Sequence, residues 1–234
     1  MTALNPICVA LDTPDLDRAR HLARVLKPHA GFMKIGMEFF YAQGAKGYET
    51  VAAEGLPIFL DLKLHDIPNT VASAMSSLMR LEPRPAIVNV HAVGGLDMMK
   101  AARDAVRGRA RLIAVTILTS LSDDDIWAAG FETAKDVGAH ARSLAELALA
   151  AGLDGVVCSP HEVTGIKHAT AKSFLTVVPG IRPADASAQD QKRVATPAAA
   201  IAAGADILVI GRAITGAADP AAATEAIKAS LHDG

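Results

Sequence analysis

The chain has 234 residues, of which 51% are hydrophobic and 21% charged, so it is not a disordered polymer. With 23 Lys and Arg against 25 Asp and Glu, its formal charge is −2, which argues against a general nucleic-acid binder or a polybasic membrane binder. That balance still leaves room for a local basic pocket that takes a small anion.

Apolar, β-branched runs alternate with helical patterns from end to end. Ile7–Leu11 comes first, followed by Leu16–Leu26, whose Leu16, Ala19, Leu22, Ala23 and Leu26 share one helical face. Phe32–Ile35 precedes a helical stretch over Glu38–Glu54, and Ile58–Leu62 precedes one over Val71–Arg80. Ala86–His91 leads to Leu96–Arg107, and Leu112–Thr116 leads to Val137–Ala151. Gly155–Cys158 and Leu175–Val178 follow, then a helix over Pro197–Ala203, the run Ile207–Ile210 and a last helix over Pro220–Leu231. Gly152 and Gly204 read as helix C-caps, and Asp219-Pro220 as a cap and first turn. The runs are continuously apolar, which suits strands buried on both faces of a parallel sheet.

Eight such strands in a chain of this length predict a (β/α)8 TIM barrel, one domain over 1–234. An open doubly wound sheet is the competing architecture, but no dinucleotide fingerprint follows the first run, where Leu11-Asp12-Thr13-Pro14-Asp15 stands. The polar, aperiodic stretch Pro183–Lys192 reads as a long mobile loop after strand seven, of the kind that becomes an active-site lid. Cys8 and Cys158 both lie in apolar runs and read as buried thiols. The first residues lack a basic segment, and no apolar run has the length of a membrane span. The expectation is a soluble protein of a reducing compartment, the cytoplasm.

In a barrel of this type the chemistry gathers at the C-terminal ends of the strands. Those ends carry Asp12, Lys34, Asp61 with Lys63, Asn89 with His91, Thr116 with Thr119, Ser159, Gly180-Ile181-Arg182 and Gly211-Arg212. Asp61 and Lys63 are two apart, so they share a strand face, and Asp66 lies just beyond. A lysine between carboxylates is held as the ammonium, which suits delivery of a proton better than Schiff-base chemistry. A surface ion pair is the plainer alternative, opposed by the apolar Ile58-Phe59-Leu60 leading in. Lys34 and Asp12 either reach solvent or serve a site, and His91 reads first as a structural histidine. After strands seven and eight, the Gly/Arg turns Gly180-Ile181-Arg182 and Gly211-Arg212 stand where this fold usually holds a phosphate. No Walker loop, zinc helix or Cys/His cluster with metal spacing is present.

Taken together these segments resemble the orotidine 5′-phosphate decarboxylase family. Phe59-Leu60-Asp61-Leu62-Lys63-Leu64-His65-Asp66-Ile67-Pro68-Asn69-Thr70 carries the central motif. Val9–Asp12, Lys34-Ile35-Gly36, Val88–Ala92, Ile113–Thr116, Leu118-Thr119-Ser120 and Asp154–Ser159 match in order. So do Pro179–Pro183, Asp190-Gln191 and Val209–Arg212.

The resemblance implies a homodimeric barrel that converts orotidine 5′-phosphate to uridine 5′-phosphate and CO2 without metal or cofactor. It implies Lys63 as proton donor to C6, with Asp61, Lys34 and Asp66 of the partner subunit in its charged network. Asp12, Lys34 and Thr70 of the partner subunit would hold the ribose hydroxyls, and Thr119 and Ser159 would lie by the pyrimidine. Arg182, Gln191, Gly211 and Arg212 would serve the phosphate and the closing loop. Two rivals share features with the chain. The sister 3-keto-gulonate-6-phosphate decarboxylases and hexulose-phosphate synthases hold Mg2+ partly through a Glu where Lys34 stands here. A non-catalytic nucleotide-binding barrel would need only the phosphate turns.

Overall fold

The computed structural model describes residues 5–182 and 195–231. The loop expected at 183–192, with Gln191, lies outside the described residues.

Eight parallel strands close into a barrel in sequence order. They are β1 (Ile7–Leu11), β2 (Phe32–Gly36), β3 (Ile58–Leu64), β4 (Ile87–His91), β5 (Arg111–Val115), β6 (Gly155–Val157), β7 (Leu175–Val178) and β8 (Ile207–Ile210). The helices around them are α1 (Leu16–Leu26), α2 (Met37–Ala52), α3 (Pro68–Leu78), α4 (Gly95–Val106), α5 (Asp123–Ala128), α6 (Val137–Ala150), α7 (Val163–Ala169), α8 (Pro197–Ala202), α9 (Arg212–Thr215) and α10 (Pro220–Ser230).

Strand parity decides what each side chain meets. Cys8, Ala10, Phe32, Phe59, Ile87, Ile113, Val177, Ile207 and Val209 pack together in the barrel interior. Their neighbours Val9, Leu11, Met33, Ile35, Leu60 and Val88 point outward and join the helices in the larger core. This double burial explains why the strands read as unbroken apolar runs. The face of α1 expected to be buried is buried at Ala19, Leu22, Ala23 and Leu26, and Asp15 caps it through the Arg18 amide. Both cysteines are buried.

Three features depart from the expected elements. Helix α2 is interrupted at Gly44, whose φ is 63°. Three short helices, α5, α7 and α9, stand where no helix was expected; Ser122 and Asp125 form a capping box at the start of α5. Strand β3 runs on to Leu64 through an irregularity: Leu60 pairs with Val88 and Leu64 with Val90, so β3 advances four residues where β4 advances two. Within that bulge Lys63 has φ 51°, a left-handed conformation uncommon outside glycine. Among the described residues, no helix is long and apolar enough to cross a membrane.

Candidate active site

The interior parity carries polar residues to the top of the same strands that build the apolar floor. On β3 the inward series runs Phe59, Asp61, Lys63; on β2 it runs Phe32, Lys34. Above Cys8 and Ala10 of β1 stands Asp12. The result is a cavity of about 390 Å3 at the C-terminal mouth of the barrel. Ala10, Phe59, Val115, Val157 and Val209 line its apolar part. A volume of this order is typical of a small-molecule site.

One wall is a chain of alternating charges. Lys34 Nζ lies 3.3 Å from Asp12 Oδ1 and 3.3 Å from Asp61 Oδ2. Asp61 Oδ1 lies 2.8 Å from Lys63 Nζ and accepts a hydrogen bond of 2.7 Å from the Asn89 amide nitrogen. The Asp61 side chain is 8% exposed and that of Lys34 12%, whereas the Asp12 side chain is 53% exposed. Burial pushes the Asp61 carboxyl up, but the Lys34 and Lys63 ammonium groups and the hydrogen bonds from Lys63 and Asn89 hold it below the usual carboxylate range. Burial pulls Lys34 down, and the charges of Asp61 and Asp12 more than reverse that, so its ammonium form persists above the ordinary lysine range. Beneath Lys34, burial pushes the Cys8 thiol up, so it is a neutral floor.

The opposite wall is formed by Pro179, Gly180, Arg182, Gly211 and Arg212. Gly180 has φ 75°, which favours glycine there. The Arg182 amide donates to the Ala195 carbonyl at 3.1 Å, and the Ala195 amide to the Gly180 carbonyl at 3.3 Å, so Gly180 and Arg182 are tied to Ala195 at this wall. At Gly211 a Cβ would stand 3.4 Å from Asp12 Oδ2, which makes this turn a close approach to the charged wall. Thr119 lines the cavity between the two walls, with Leu118 and Ser120 beside it.

Not every expected residue meets the cavity. Ser159 is fully buried and outside the lining. Its hydroxyl accepts from the His161 amide and its own amide donates to Glu162 Oε2, so it caps the 3-10 turn Pro160–Glu162. Asp66 and Thr70 are exposed and lie outside the lining formed by this single chain. Asp66 Oδ1 accepts from the Ile67 amide at 2.6 Å. His91 is half-buried and stacks obliquely on His65, ring centroids 5.7 Å apart. Burial lowers its pKa, His65 and Lys63 lower it further, and Asp61 opposes them.

Sequence reasoning gave Asn89 no role. It is 1% exposed and bonded to Asp61, and the available signal was an amide standing between Val88 and Val90 in a core strand.

Comparison with known proteins agrees with this geometry. The family model described as the orotidine 5′-phosphate decarboxylase / HUMPS family matches residues 5–227. The chain is 54% identical over 228 residues to a protein of Novosphingobium aromaticivorans named orotidine 5′-phosphate decarboxylase, covering 97% of this chain and 99% of that one. It is 50% identical to one of the same name from Erythrobacter litoralis, covering 97% and 99%. The crystal structure of orotidine 5′-phosphate decarboxylase from Lactobacillus acidophilus superposes with a TM-score of 0.83 at 38% identity, covering 97% and 99%. An uncharacterized conserved protein from Geobacillus kaustophilus gives 0.82 at 37% identity, covering 97% and 100%. A closed eight-stranded barrel, a charged wall facing a Gly/Arg wall and a match over nearly the whole length lead to one assignment: the chain belongs to the orotidine 5′-phosphate decarboxylase / HUMPS family.

Proposed function

We propose that this chain converts orotidine 5′-phosphate to uridine 5′-phosphate and CO2, the last step of UMP synthesis, with Lys63 delivering the proton to C6. Family membership makes it an enzyme, and its relatives' names make decarboxylation its chemistry; the route is the part proposed. The observation that carries the route is the 2.8 Å contact between Lys63 Nζ and the buried carboxylate of Asp61 at the cavity wall.

Breaking the bond from C6 to its carboxylate leaves the electron pair on C6 as CO2 departs. That pair lies in the ring plane and delocalises poorly into the carbonyls, so its charge needs a local cation. A fixed ammonium in a water-poor cavity supplies this, because preorganised charge is worth more where the dielectric is low. One N–H proton of Lys63 passes to C6, and the amine regains a proton from solvent after product leaves. Asp61 keeps the ammonium in place during the step, and Lys34 balances Asp61.

Asp12 and Lys34 hold the ribose hydroxyls in this reading, and Thr119, on the lining, lies by the base. The Ser159 hydroxyl is engaged as a cap, which leaves Thr119 the better supported of the two beside the pyrimidine. Arg182, Gln191, Gly211 and Arg212 serve the phosphate. Its binding far from C6 then contributes to the rate as well as to affinity.

The active unit in this proposal is a homodimer, with Asp66 and Thr70 of the partner subunit completing each site. Large apolar side chains stand exposed at Met37 and Tyr41 on α2, at Ile67 next to Asp66 and at Val93 after β4. Burial of Ile67 against a partner would suit this proposal. The buried thiols suit a reducing compartment such as the cytoplasm.

The family description also covers metal-dependent relatives in our reading, and the position of Lys34 separates the two chemistries. Its ammonium occupies the place between Asp12 and Asp61 where a divalent cation would have to sit. The test is loss of orotidine 5′-phosphate absorbance with excess chelator present. Undiminished turnover supports the reading, and activity that disappears with chelator and returns with Mg2+ overturns it.

A further inference from the structure

Strand β3 departs from regular pairing at the residues that carry the proposed chemistry. Between the Leu60–Val88 and Leu64–Val90 pairs, β3 has extra chain, and the residue of β4 facing it is Asn89. A bulge frees backbone groups from the sheet and aims side chains differently. Here it also sets Lys63 at φ 51°, in a region that costs a non-glycine residue some strain unless its surroundings enforce it.

Asn89 supplies that enforcement from both ends of one side chain. Its Oδ1 accepts from the Lys63 backbone amide at 2.8 Å, and its Nδ2 donates to Asp61 Oδ1 at 2.7 Å. Its orientation follows from its partners, since a backbone N–H only donates and an ionised carboxylate only accepts. The same Asp61 oxygen receives the Lys63 ammonium at 2.8 Å. One buried amide therefore fixes the backbone of the lysine and the carboxylate that holds the lysine's tip.

We propose that Asn89 is a positioning residue, whose amide clamps the β3 bulge so that Asp61 and Lys63 present the ammonium to the substrate. The proposal rests on the reading of Lys63 as proton donor and extends it to the strand beside it. An amide fits where other side chains do not. Alanine leaves the Lys63 N–H and one Asp61 lone pair without their partner in a closed site. Aspartate keeps the shape but sets a second carboxylate against Asp61, and only its protonated form restores the donor and acceptor pattern.

That difference gives a readout that loss of packing would not produce. Asn89→Ala is expected to lower kcat roughly 100-fold, the effect of a displacement of about 1 Å at a reacting group, with KM changed less than about threefold. Asn89→Asp is expected to be comparably slow at about pH 8. It should recover at least about tenfold relative to the parent by about pH 5.5, as the carboxylate pair takes up a proton. Uridine 5′-phosphate titration and thermal unfolding of each variant establish that the site is assembled. Should Asn89→Ala fail to fold, the near-isosteric Asn89→Asp still decides the matter through its pH profile. An Asn89→Asp profile parallel to the parent's, with kcat within about threefold, overturns the proposal. Lys63→Ala measured alongside separates the two readings: if it is inactive while Asn89 variants turn over normally, only the positioning role fails. If Lys63→Ala itself turns over, the proton-donor reading fails first.

Discussion

Lys63 Nζ lies 2.8 Å from Asp61 Oδ1 on the same strand, with Leu62 between them and the lysine backbone left-handed. The contact places an ammonium on the wall of the cavity and ties it to a carboxylate that solvent barely reaches. If that ammonium protonates C6, Lys63→Ala removes the proton source and the compensating charge together. The expected result is a fall in kcat of at least about 1,000-fold, with uridine 5′-phosphate affinity changed by less than about tenfold. Steady-state rates and a product titration read the two effects separately. A variant that keeps more than a few per cent of the parent kcat is incompatible with this role.

The same pair makes stability depend on pH in a definite direction. Burial alone would raise the Asp61 pKa, yet Lys34, Lys63 and the Asn89 hydrogen bond bring it below its ordinary value. A carboxyl lowered by folding stabilises the protein above its unfolded pKa of about 3.9, and that contribution is lost as pH falls through the lower folded value. Lys34 is raised by Asp61 and Asp12 against the opposing effect of burial. Its contribution is complete below about 10.4 and lost as pH rises through its folded value. Asp61→Asn removes the buried carboxylate between the Lys34 and Lys63 ammonium groups, leaving Lys34 only Asp12, and should destabilise the protein by about 3 kcal/mol near pH 7. The gap between parent and variant should narrow toward acid pH, and narrow again at alkaline pH as the parent loses the Lys34 contribution that Asp61 sustains. Denaturant titrations from about pH 3 to 11.5 measure both limbs, and a gap that stays constant across that range refutes the assignment.

The barrel was legible in the sequence because β1 to β8 are buried on both faces, which leaves eight continuous apolar runs. Asp61 and Lys63 could be placed on one inward face by parity alone, and they lie there. Shorter features escaped. Helices α5, α7 and α9 span 6, 7 and 4 residues, too few for an apolar period to show. The β3 bulge was invisible because an even spacing keeps Asp61 and Lys63 on one face with or without it. Asn89 went unassigned for a related reason: its partner Asp61 is 28 residues away in sequence, and only the register of β3 on β4 makes them neighbours. Ser159 fits the expected motif, but Pro160 and Glu162 beside it turn its hydroxyl to capping. Asp66 and Thr70 are exposed and do not line the cavity of their own chain, and their proposed use belongs to the partner subunit's site.

Arg212 stands at the Gly/Arg wall and lines the same cavity as Lys63. A charge-assisted contact to phosphate is worth about 1.5–3 kcal/mol, so Arg212→Ala should lower kcat/KM for orotidine 5′-phosphate roughly 10- to 100-fold. Orotidine, which lacks the phosphate, should lose little. Part of the loss should appear in kcat, because the handle is remote from C6 and its binding free energy assists the transition state. Parallel assays on the nucleotide and the nucleoside decide the point, and equal losses on both would remove Arg212 from the phosphate site.

A shared site predicts rescue between two inactive proteins. Lys63→Ala damages the site built on its own barrel, whereas Asp66→Ala damages the site of the partner subunit if that carboxylate crosses the interface. In a hybrid dimer both lesions then fall in one site and the other is intact. With random assortment at equal concentrations, about a quarter of all sites are restored, so the mixture should approach a quarter of the parent rate. Ile67, next to Asp66 in the chain, exposes an apolar side chain that such an interface would cover. Differently tagged protomers, mixed under conditions of subunit exchange and purified by both tags, isolate the hybrid. A hybrid that forms and stays inactive shows that Asp66 acts within its own subunit or does not act at all.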